Sequence, residues 1–125
     1  PVSTGDASRM LRLLSGRTHQ VLTGYSVVCQ AAGYSHAGLG RTSVTFKRLA
    51  DTEIDWYLQT PEPYDKAGAY AIQGIGAFMV SRIDGSYTNV VGLPLCEVVD
   101  HLFKIGLLAR DAASVETAVR SRAGK

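Results

Sequence analysis

Hydrophobic spacing changes period several times along the chain, and each change marks an element. Ala7, Met10, Leu11 and Leu14 recur at three- and four-residue steps, which predicts a short helix capped by Asp6 and stopped by a left-handed Gly16. From residue 18 to residue 30 the period drops to two. Val21, Thr23, Tyr25, Val27 and Cys29 then share one face of a long strand, with Gly24 as a candidate bulge. Residues 33 to 40 read as a glycine-rich turn, after which Thr42, Val44 and Phe46 alternate with Ser43, Thr45 and Lys47. The two alternating runs predict an antiparallel pair joined by a wide loop.

A second helix is expected with Asp51 or Thr52 as cap, Asp55 as the capping-box partner of Thr52, and Ile54, Tyr57 and Leu58 on its buried face. Pro61 ends it. Residues 61 to 68 are loop by composition, and residues 69 to 73 and 76 to 83 read as two short strands on either side of Gly74. Asp84 and Gly85 signal a turn. Pro94 opens a helix whose stripe is Leu95, Val98, Val99, Leu102 and Phe103, ending near Gly106. The alanine-rich, basic residues 111 to 125 read as a frayed helix. Helices interleaved with strands, one pair of them antiparallel, predict an α/β fold with a mixed sheet flanked by helices, in one domain over residues 1 to 125.

Composition narrows the class without naming a partner. The 125 residues are 46% hydrophobic and 19% charged with 13 Gly and 4 Pro, which allows one buried core and excludes disorder, collagen and a disulfide scaffold. A net charge of +2 is too balanced to indicate nucleic acid or a membrane surface, so neither is expected as a partner. Cys29 and Cys96 stand far apart with no clustered histidines, which suggests neither a disulfide framework nor a zinc site. No apolar run approaches the roughly 18 residues of a membrane span, and a reducing cytosol is the expected compartment. Pro1 stands where an initiator Met would, so the chain reads as a processed product, a fragment or a trimmed form.

Candidate chemistry is sparse. Residues 33 to 42 fail as a P-loop, because Ser35 and Arg41 occupy the positions that require glycine and lysine. Gly74-Ile75-Gly76 is a lone G-x-G, weak as a nucleotide fingerprint. Asp51, Glu53 and Asp55 fit the positive end of a helix better than a metal. Glu62 and Asp65 stand in a loop beside Lys66, with Tyr70 and Gln73 following. Such a set offers an ammonium for phosphate, an amide for a base edge and a ring for stacking, although a solvated loop accounts for the same residues. His19, His36 and His101 are scattered over a strand, a loop and the polar flank of a helix, and nothing supports nucleophilic catalysis. Arg110, Arg120, Arg122 and Lys125 make a basic tail that reads as solvated.

The segment Asp65-Lys66-Ala67-Gly68-Ala69-Tyr70-Ala71-Ile72-Gln73-Gly74 closely resembles the Maf family of nucleoside triphosphate pyrophosphatases. Three further stretches match in order and spacing. They are Leu14-Ser15-Gly16-Arg17-Thr18-His19-Gln20-Val21, Tyr57-Leu58 ahead of Glu62-Pro63, and Gly85-Ser86-Tyr87-Thr88-Asn89-Val90-Val91-Gly92-Leu93-Pro94-Leu95. The resemblance covers about residues 7 to 106. It implies a cytoplasmic α/β enzyme of the Maf/inosine-triphosphatase-like fold, homodimeric, that hydrolyses a nucleoside triphosphate to the monophosphate and pyrophosphate with a divalent cation, Mg or Mn. The Ile72-Gln73-Gly74 version looks like the subgroup acting on dTTP, UTP and modified uridine triphosphates. An amide both donates and accepts, so Gln73 is the candidate specificity residue for a pyrimidine's imide edge, with Lys66, Asp65 and Tyr70 as candidate substrate-binding residues.

The resemblance also implies what the chain lacks. The family's phosphate-gripping Ser/Arg/Arg loop, a further glutamate and lysine, and the aspartate regarded as catalytic base all precede the helix that begins here near Asp6. The expectation is therefore an N-terminally truncated Maf-like domain, family-like over residues 1 to 108 with a variable tail over 109 to 125. It would carry neither a catalytic nor a metal-ligating residue of its own. The alternative expectation is a non-catalytic nucleotide-binding or oligomerisation module.

Overall fold

A computed structural model describes residues 1 to 107, and the expectations for the basic tail lie outside the described residues. Helix α1 (Thr4–Leu14) starts earlier than the apolar spacing suggests: Ser3 is the cap, its Oγ accepting the Asp6 amide at 3.1 Å. Asp6 sits in the first turn, where its carboxylate accepts from Arg9 and from the Val2 amide. Ala7 and Leu11 are buried, with Met10 and Leu14 packed against the same core. Gly16 does adopt the left-handed turn (φ +66°), and its N–H donates to Lys47 O at 3.0 Å as the chain enters the sheet.

Strands β1 (Thr18–Cys29), β2 (Tyr34–Phe46) and β3 (Val80–Gly85) form a sheet of order β1-β2-β3 with both pairs antiparallel. The wide loop expected between the first two strands is absent. The turn is tight, closed by Gly33 N–H on Gln30 O at 3.1 Å, and residues 34 to 40 belong to β2. Their glycines serve packing. A Cβ on Gly38 would lie 2.6 Å from the ring of Tyr25, its cross-strand partner, and a Cβ on Gly40 would overlap the carboxamide of Asn89. Gly24 makes no bulge, since the register runs unbroken through Gly24 and Leu39. The irregularity falls on the other pair, where Thr45 faces Arg82 but Phe46 faces Val80.

Helix α2 (Asp51–Leu58) buries Ile54 and Tyr57 as its spacing predicts. Ala50 occupies the cap, so the reach-back contact comes from Glu53, whose Oε1 accepts the Ala50 amide at 2.9 Å, and not from Asp55. Three short 3-10 turns follow, Glu62–Asp65, Ala67–Ala69 and Ile75–Met79. The strand expected over residues 69 to 73 does not form, and the next one begins only at Val80. Gly68 (φ +77°) and Ala69 (φ +68°) are successive left-handed residues, which roll the backbone out of any extended path. Asp84 and Gly85 close β3 by pairing with Ser43 and Thr42, and the chain turns one residue later. Helix α3 (Tyr87–Val91), which the sequence pattern does not announce, is capped by Ser86 Oγ. Helix α4 (Leu95–Lys104) follows Pro94 as expected, yet within the described residues none of its side chains is fully buried.

Candidate functional site

A cavity of about 440 Å³ opens where the end of α1, the first half of β1, residues 66 to 73 and α3 meet. Lys66, Tyr70 and Gln73 all line it, so three of the four candidate substrate residues converge. Asp65 is outside the lining. It is exposed and faces Lys66 at 3.7 Å, a surface ion pair of little energetic weight that leaves the ammonium able to turn toward an anion. Gln73 is exposed at the edge, its carboxamide in no hydrogen bond among the described residues, which is the state a recognition amide requires.

Tyr70 is different in kind. Its ring packs edge-on against Phe46 (4.8 Å between centroids) and against His19 (5.6 Å), and its hydroxyl meets His19 Nε2 at 2.8 Å. Burial pushes the phenol up to about 12 and pulls the imidazole down. The pair is therefore a neutral imidazole against a protonated phenol. His19 Nδ1 is buried and without a partner among the described residues. Sequence reasoning separated these two residues because they stand 51 positions apart. Alternation along β1 places His19 inward, and the left-handed step at Ala69 delivers Tyr70 to meet it.

Glu62 is half-buried and faces backbone. Its Oε1 accepts the Ile75 amide at 2.9 Å and its Oε2 the Gly76 amide at 2.8 Å, so the carboxylate that sequence grouped with Asp65 holds backbone instead of ligand. Beside it the fully buried Tyr57 hydroxyl is driven well above the ordinary phenol range, first by burial and then by the Glu62 carboxylate. At the opposite end of the hairpin His36 and His101 stack at 3.9 Å between centroids, and Tyr34 Oη meets His101 Nδ1. None of these three residues reaches the cavity.

The described residues do not fit a divalent cation. Among the described residues no three His, Cys, Asp or Glu side chains cluster closely enough to hold one, and near the cavity Glu62 is committed to amides while Asp65 stands outside the lining. Nor is any described helix long and apolar enough to cross a membrane.

The fold and the cavity thus define an α/β protein with a pocket whose two lining carboxamides, Gln20 and Gln73, and one ammonium, Lys66, suit a polar heterocycle bearing an anion. The chain belongs to the Maf-like protein family, whose model matches residues 1 to 105. Among its relatives, the dTTP/UTP pyrophosphatase of Geobacter sulfurreducens is 58% identical over 108 residues, covering 86% of this chain and 56% of that protein. The protein of the same name in Syntrophotalea carbinolica is 55% identical over 106 residues, covering 85% and 48%. That of Anaeromyxobacter dehalogenans is 52% identical over 108 residues, covering 85% and 56%. The chain spans about half the length of the curated relatives it matches.

Proposed function

We propose that the cavity binds the base of dTTP, UTP or a modified uridine triphosphate, and that the whole protein hydrolyses it to the monophosphate and pyrophosphate. The observation that carries this reading is the convergence of Gln73 and Lys66 on one pocket, in a chain similar to proteins named dTTP/UTP pyrophosphatases. The Gln73 amide accepts from the imide N–H and donates to the neighbouring carbonyl of the base, while the Lys66 ammonium meets the phosphates. In the reaction a water oxygen bonds to the α-phosphorus as the bond from that phosphorus to the bridging oxygen of pyrophosphate breaks. The described residues supply recognition. The group that activates water, and the ligands of the divalent cation, Mg or Mn, lie outside them in this reading. Cytoplasmic location and a homodimeric assembly belong to the same proposal. α4 supports the assembly, its Leu95 being exposed and its Val98, Val99 and Leu102 no more than half-buried among the described residues.

The test is pyrophosphate release, with Mg or Mn, from UTP, dTTP and CTP by the whole protein and its Gln73→Glu variant. A carboxylate accepts but cannot donate, and one hydrogen bond lost to an unpaired partner costs about 1–3 kcal/mol. The preference for UTP over CTP should fall by at least about fivefold. An unchanged preference removes Gln73 from base recognition.

A further inference from the structure

Gln73 sits on the segment that Glu62 holds from behind. The two carboxylate oxygens of Glu62 take the amides of Ile75 and Gly76 at 2.9 and 2.8 Å, in a bidentate grip on the residues just after Gln73. The neighbouring positions are shaped around that grip. A Cβ on Gly74 would occupy the space of the Glu62 carboxylate, and a Cβ on Gly76 would stand 2.8 Å from Tyr57 Oη and 3.0 Å from Ala71 O. The 3-10 turn at Ile75–Met79 begins at these two amides, whose N–H groups have no earlier helical carbonyl to meet. A carboxylate is the acceptor that satisfies both at once, with charge-assisted bonds stronger than neutral ones.

We infer that Glu62 is a positioning residue for nucleobase selection: it fixes the backbone at residues 74 to 76 so that the Gln73 carboxamide is presented to the cavity in one place. This rests on the base-reading role of Gln73 proposed above. An amide that shifts or turns over can serve the cytosine edge as readily as the uracil edge, so discrimination depends on where the loop holds it. Glu62 touches neither the base nor the reacting atoms. Its effect appears in selectivity.

The experiment is calorimetric titration of the 125-residue chain with UTP and with CTP, in the unmodified protein and in Glu62→Gln, Gly74→Ala, Gln73→Glu and Glu53→Gln, with amide hydrogen exchange at Ile75 and Gly76. Glutamine at 62 offers one acceptor and turns its NH₂ against the other amide, while alanine at 74 displaces the same carboxylate by a different route. Both variants should speed exchange at the two amides and lower the UTP-to-CTP affinity ratio by about fivefold or more, as Gln73→Glu does. Glu53→Gln removes a carboxylate–amide contact at the Ala50 cap that involves none of residues 73 to 76 and should leave the ratio intact. A general loss of folded protein weakens both nucleotides alike, so the ratio separates presentation from stability. If Gln73→Glu abolishes the preference while Glu62→Gln and Gly74→Ala retain it, or if exchange at the two amides is unchanged, the inference is overturned and the base reading stands. If the unmodified chain shows no preference, or Gln73→Glu keeps it, the base reading fails and the inference falls with it.

Discussion

His19 carries a pH dependence that follows from where its ring lies. Burial holds its pKa below the ordinary imidazole value of 6.5, so the folded state disfavours the charged ring. Its contribution to stability is therefore complete above that value and is lost as pH falls through the lower, folded one. The thermal midpoint should drop between about pH 7 and pH 5, and His19→Gln, which keeps a partner for Tyr70, should flatten part of that drop. His101 is lowered too, by desolvation first and then by His36 and Lys104, so only the difference between the two proteins isolates His19. Identical pH profiles would contradict the burial argument. Asp6 and Glu53, lowered chiefly by hydrogen bonds from Arg9 and from the Ala50 amide, lose their contributions only as pH falls through the acid range. At this scale the sequence offered Gln73 and Lys66 as candidates by their chemistry and the cavity lining holds both, while Gln20, an amide on the same wall, was not singled out. It hid the His19–Tyr70 contact, and it left Glu62 looking like a ligand group, because only the fold decides what a side chain faces.

Elements were legible where one period dominated. The helices at residues 4 to 14, 51 to 58 and 95 to 104 follow their apolar spacing, and β1 follows its alternation. The first half of β2 was not legible, since its glycines read as turn residues until Tyr25 and Asn89 are seen in the space above them. Asn89 makes that case sharply. Its Nδ2 donates to Val21 O and to Thr42 Oγ1, both at 3.1 Å, and its backbone carbonyl accepts from Thr23, which ties α3 across β1 and β2. Gly40→Ala must push this buried side chain aside. Overpacking of this kind costs about 1–3 kcal/mol, read as a lower denaturant midpoint at unchanged slope. An unaltered midpoint would show that Asn89 has room to move. The capping shifts at α1 and α2 have a simpler cause. Ser3 and Ala50 precede the apolar runs by more than the pattern resolves, and backbone geometry selects the cap.

For the whole molecule, the alternation of helices and strands was enough to read an α/β fold, and the described strands are antiparallel throughout. The cavity was not readable as a shape, because its walls come from four stretches of chain that only β1–β2 pairing and the turns around Gly68 bring together. Motif order located its residues all the same, through resemblance to the Maf family. Assembly is tested at this scale by sedimentation, where a homodimer is expected and a monomer at micromolar concentration would contradict it.

The central claim is that this cavity reads a uracil-type base through Gln73. The most direct measurement is an NMR titration of the 125-residue chain with UTP, following the Gln73 side-chain amide and the backbone amides of residues 66 to 76. The expected result is saturable shifts concentrated on these signals and on His19 to Leu22, with the turn near Gly33 unmoved. Shifts concentrated on the His36–His101 end of the hairpin, or a Gln73 amide indifferent to saturating UTP, would contradict it.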